Sequence, residues 1–92
     1  MNPVAAELES LLRGALSPSR LVVRDDSAAH AGHAGAREGG HFAVWIVCAR
    51  FAGLPPRERH RLVYAAAAPL LPGRIHALQI SALTPEETGE SR

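Results

Sequence analysis

Five histidines stand in a chain of 92 residues, three of them within the stretch "HAGHAGAREGGH" at 30–41. Imidazole ligates metals and exchanges protons near neutral pH. His30, His33, His41, His60 and His76 are therefore the first residues to weigh for chemistry. No zinc signature organises them: there is no Cys-x-x-Cys, and no helical His pair with an adjacent Glu. His30 and His33 are three apart, but in a Gly/Ala loop that spacing sets little geometry. The second group is "RERHR" at 57–61, where Arg57, Arg59, His60 and Arg61 open a helical pattern and could hold phosphates. Each group has an ordinary reading beside it, a solvated loop for the first and a solvated basic face for the second. Ser, His and Asp all occur, but without a nucleophile elbow, a phosphate loop or an obvious carboxylate pair. The chain reads as a non-enzyme.

The elements that must position these residues follow from spacing. Asn2 and Pro3 suit a helix start, and Val4, Leu8, Leu11, Leu12 and Leu16 recur at helical intervals until "SPS" (17–19) stops them. "RLVVRDD" (20–26) is a short strand, and "HFAVWIVCARF" (41–51) a longer one. Alternation in the longer strand sends Phe42, Val44, Ile46 and Cys48 to one face and Trp45 and Val47 to the other. Two apolar faces predict a central strand. Pro55 and Pro56 pre-set a second helix with a buried stripe of Leu62, Val63, Ala66 and Leu70, and Pro69 predicts a break or tightened turn near its end. "RIHALQISAL" (74–83) is the last strand, with His76, Leu78 and Ile80 on one face and Ile75, Ala77 and Gln79 on the other. "TPEETGESR" reads as a polar, frayed tail.

The order is α-β-β-α-β. The first two strands should pair antiparallel across the long loop, and the next two should lie parallel through a right-handed crossover. The expected fold is α+β, a three-stranded mixed sheet with helices on one face, built as one domain over 1–87. Within it 27–40 is a flexible loop, and 88–92 is a disordered tail.

Composition narrows the functional classes. The hydrophobic fraction is 47%, much of it alanine, so the core must be thin, one sheet against one helical layer. A net charge of +1 gives no strong attraction to nucleic acid or anionic membrane. All ten basic residues are arginine, which fits a GC-rich genome better than a functional choice. The lone Cys48 cannot form an internal disulfide. "MNPVAAELESLL" lacks the basic start of a signal peptide, and no apolar run is long enough to span a bilayer. A cytoplasmic chain, monomeric when alone, is expected.

The loop raises the weight of the histidines. Structureless loops of a dozen or more residues are usually functional or disordered, and a parallel third strand can bring His76 to the loop's end of the sheet. An iron–sulfur cluster takes four thiolates, or two histidines and two thiolates. With one cysteine, buried by the strand pattern, a cluster ligated by His30 and His76 must draw its remaining ligands from another molecule. A site of that kind is shared.

Residues 41–87 resemble the BolA family, through "HF", "FAGL", "RHRLVY", "IHAL" and the closing "TPEE" with the spacing between them. The preceding "DDSAAHAGHAGAREGGHF" is similar to that family's histidine-bearing loop. The resemblance implies a class II KH-like fold and a role as partner of a monothiol glutaredoxin, with a [2Fe-2S] cluster bridging the two proteins and none held by the isolated chain. It implies His76 as one ligand and His30, third after the loop serine, as the other, with His33 as the alternate. Glutaredoxin cysteine and glutathione sulfur would complete the set. It also implies a second role, DNA-binding regulation of stress response and cell shape, with Arg57, Arg59, His60 and Arg61 as contacts. "GHAG" (32–35) matches a KH nucleic-acid string but lies between strands, where that string has no such use. Gly39-Gly40 stands where many members carry Glu-Ser or Glu-Thr.

Overall fold

The computed structural model describes residues 3–27 and 40–89; His30 and His33, and with them both loop ligands of the cluster reading, lie outside the described residues. The elements are α1 (Pro3–Leu16), β1 (Arg20–Asp25), β2 (Gly40–Val47), α2 (Pro56–Ala67) and β3 (Ile75–Leu83), with short 3-10 turns at Ala49–Phe51, Ala68–Leu70 and Glu86–Thr88. The sheet runs β1-β2-β3, antiparallel between β1 and β2 and parallel between β2 and β3, so the most apolar strand is the central one. Both helices pack on one face of that sheet. Leu8 and Leu12 of α1 and Val63 of α2 join Phe42, Val44, Ile46 and Ile75 in a single core. Burying each of these large side chains contributes about 1.5–3 kcal/mol relative to leaving it in water.

Local chemistry sets the ends of the elements. Pro56 occupies the first position of α2, where its missing N–H costs nothing. Pro69 ends the regular helix, and Ala68–Leu70 tightens into a 3-10 turn, as the sequence predicts. The expected strand over 41–51 is too long. β2 stops at Val47, level with Leu83 at the end of its partner. Cys48 is still extended, its N–H donating to the Leu83 carbonyl, but Ala49–Phe51 then turns away and buries Phe51. The chain must leave the sheet there to start the crossover into α2. Cys48 is buried, and its thiol donates to the Leu16 carbonyl at 3.0 Å, tying the end of α1 to the end of β2.

Two further expectations need correction. The first concerns β3. Gly40 pairs with Ile75, but His41 pairs with Ala77, so His76 is an extra residue in a β-bulge. Alternation is broken at that point: Ile75 is fully buried in the core and His76 is exposed, the reverse of the predicted faces. The second concerns the tail. Residues 84–89 are folded back, with Thr84 buried and Glu86–Thr88 in a turn, while 90–92 lie outside the described residues.

Candidate metal centre

The bulge lies opposite the Gly40–His41 step of β2. The Gly40 N–H donates to the Arg74 carbonyl, drawing the start of β2 against the residue before β3. A Cβ built at Gly40 would run into the Phe42 ring and stand 3.0 Å from Ser27 Oγ. A side chain at this position therefore requires the Phe42 ring to shift. Ser27 secures the other side: its hydroxyl accepts the His41 N–H at 3.0 Å, and the Asp26 N–H donates to the His41 carbonyl at 2.7 Å. The Asp25 carboxylate in turn accepts the Ser27 N–H. The two chain segments that flank 28–39 are thus pinned together.

His41 and His76 meet at this point. Their ring centroids are 5.3 Å apart with planes tilted by 51°. His41 is half-buried, with its Nε2 withdrawn from solvent, whereas His76 stands exposed on the bulge. The sequence assigns His41 to the strand, correctly, but has no signal for its meeting with His76, because one inserted residue decides it. Among the described residues no group of three or more His, Cys, Asp or Glu side chains gathers to hold a metal. Cys48 lies at the opposite end of β2 from His41 and is buried. The donor set on hand is therefore imidazole without thiolate. It suits a shared iron–sulfur cluster whose sulfur ligands come from elsewhere, and does not suit a self-contained one.

The arginine group behaves differently. Arg57 and Arg61 are exposed on the first turns of α2, Arg61 standing 3.8 Å from Glu58. Arg59, which the sequence counts among the phosphate contacts, is turned inward and only 12% exposed. Its Nε donates to the Leu54 carbonyl at 2.8 Å, and Nη1 donates to the Ala82 carbonyl at 3.1 Å. Both Nη atoms fork onto the Glu87 carboxylate at 2.7 and 3.1 Å, the bidentate arrangement that suits guanidinium. The Arg59 guanidinium, helped by the Thr84 backbone N–H, lowers the Glu87 carboxyl to about 2, and Glu87 raises Arg59 in return. Arg59 is thus a structural tie between α2, β3 and the tail, and drops out of the nucleic-acid set. Thr84 and Glu87 close a reciprocal capping pair, each accepting the other's backbone N–H. Thr-x-x-Glu is the sequence signature of that pair, and "TPEE" carries it. His60 is half-buried on α2.

Comparison with known proteins now has a geometry to meet. Residues 12–87 match the family described as BolA-like protein. The chain belongs to the BolA family. BolA-like protein 1 of Homo sapiens is 45% identical over 91 residues, 99% of this chain; the chain spans 65% of that relative's length. The DNA-binding transcriptional regulator BolA of Vibrio cholerae is 40% identical over 80 residues, covering 87% of this chain and 74% of its own. Among solved structures, the BolA domain of SufE1 from Arabidopsis thaliana superposes with a TM-score of 0.84 at 38% identity, covering 95% of this chain and 98% of that one. The α+β architecture and the strand order are those of a BolA fold. No helix among the described residues is long and apolar enough to cross a membrane.

Proposed function

We propose that this BolA protein is an adaptor that pairs with a monothiol glutaredoxin and shares a [2Fe-2S] cluster with it, His76 supplying one ligand. The observation that carries the reading is the bulge, which takes His76 out of the core and leaves its imidazole open to a partner. The second ligand from this chain is His30, or His33 in its place. Glutaredoxin cysteine and glutathione sulfur complete the set, a division of labour that fits a chain whose only cysteine is buried and bonded to Leu16. When bound, the cluster supplies one-electron redox chemistry and transferable iron and sulfide. The chain's own contribution is to hold the His76 imidazole at an accessible edge of the sheet.

The test is reconstitution with a monothiol glutaredoxin, glutathione, iron and sulfide, followed by visible absorption and circular dichroism. A heterodimer whose spectrum differs from that of the glutaredoxin homodimer is expected. An unchanged homodimer spectrum at excess BolA chain contradicts the adaptor reading.

A second reading, DNA-binding regulation, draws on the Vibrio cholerae relative's name and on the exposed Arg57 and Arg61. It requires duplex affinity that falls steeply with salt and weakens in Arg57→Ala and Arg61→Ala. Salt-independent binding, or none, contradicts it.

A further inference from the structure

We propose that His41 and His76 form a binding site for a single tetrahedral divalent cation of the zinc class on the isolated chain. The spacing of the rings is the first argument. With metal–nitrogen bonds of about 2.0–2.1 Å and tetrahedral angles, two imidazole centroids on one ion stand about 5.2 Å apart. The observed separation is 5.3 Å. A cis pair on a square-planar ion, as copper(II) prefers, would close to about 4.5 Å. The 51° tilt is the second argument, because the rings are not laid flat on each other as a parallel stack. The third is the different mounting of the two rings. His41 sits half-buried on the central strand, its N–H donating to the Ser27 hydroxyl and its carbonyl accepting from the Asp26 N–H, and His76 stands exposed on the bulge. One ligand is held and the other can adjust.

No third side chain completes the set among the described residues. Two imidazoles from the described residues leave further positions on the ion open, unlike the closed four-ligand sites that hold structural zinc. The site needs neither glutaredoxin nor thiolate and has only His76 in common with the cluster. One consequence rests on the adaptor reading: a cation held there occupies His76 and competes with cluster sharing.

The test uses the isolated full chain and Co2+ as spectroscopic stand-in for Zn2+, since tetrahedral cobalt absorbs far more strongly in the visible than the aqueous ion. A band saturating at one equivalent and bleached by Zn2+ is expected. His41→Gln and His76→Gln should each weaken binding about tenfold or more, since even loss of an outer-shell partner costs that much. His60→Gln should leave it unchanged. His76 is exposed, so its variant keeps the test intact even where His41→Gln perturbs folding. A band that survives both substitutions, or is lost only in a His30→Gln/His33→Gln double variant, overturns the site, as does the absence of any tetrahedral band. Because no glutaredoxin is present, such a failure leaves the heterodimer test standing, and the reverse holds.

Discussion

The two ends of β3 treat their polar side chains in opposite ways. At the first end a bulge turns Ile75 into the core and pushes His76 outward, against His41 and beside the pinned neck of the loop. At the other end Arg59 is drawn in from α2 to satisfy the Ala82 carbonyl and the Glu87 carboxylate. Ala82 is an outer-edge position of β3, and so is Leu78, whose carbonyl accepts from Tyr64 at 3.2 Å. Arg59 at one end and Tyr64 nearer the other therefore partly close the outer edge of β3 to strand addition, while His76 itself is left exposed on the bulge. Residue type did not distinguish them, since histidine and arginine both stood among the candidate binding groups. What separates them is whether the backbone geometry leaves the side chain unspent.

The largest effect expected from this contrast is at Ile75. Ile75→Ala should cost about 2–5 kcal/mol, the range for a fully buried aliphatic side chain, while His76→Ala should change stability by no more than about 0.5 kcal/mol. Chemical denaturation of both variants checks it. Had the strand alternated without a bulge, the ranking would be reversed. Next comes the arginine helix: Arg59→Ala should lower the melting temperature by several degrees, because two backbone carbonyls and Glu87 lose their donor. Arg57→Ala, on the solvent side, should stay within about 0.5 kcal/mol of the parent. Equal melting temperatures for the two variants would mean that Arg59 is as free as its neighbour.

A smaller effect appears in acid. Glu87 titrates at about 2 in the folded chain against an ordinary 4.5, so the folded state binds fewer protons than the unfolded one between those values. Its stabilising contribution is complete above the ordinary carboxylate range and drains as pH falls from about 4.5 toward 2. Glu87→Gln should flatten that part of the stability–pH curve. Identical acid limbs in the parent and Glu87→Gln would show that the tie is absent in solution.

Much of the fold was legible from periodicity and proline placement. The five elements, the central place of β2 and the 3-10 turn at Pro69 all follow from residues whose local preference agrees with the tertiary outcome. What was not legible has specific physical causes. A one-residue bulge reverses which of Ile75 and His76 faces the core, and alternation cannot announce where it breaks. Arg59 looked like its neighbours Arg57 and Arg61 because its acceptors are contributed by Leu54, Ala82 and Glu87, from three other parts of the chain. The tail was misread for want of attention to Thr84-x-x-Glu87, a local signal that was present. Of the candidate site, the exposure of His76 and its meeting with His41 were not readable, because one inserted residue decides both.

The central claim is that the bulge exists to offer His76 to a metal centre completed by a partner. It is tested most directly by reconstituting the glutaredoxin heterodimer with His76→Ala in place of the parent chain and recording its visible circular dichroism. The account predicts that the heterodimer signature is lost and the glutaredoxin homodimer spectrum remains. A heterodimer spectrum unchanged by the substitution would contradict it.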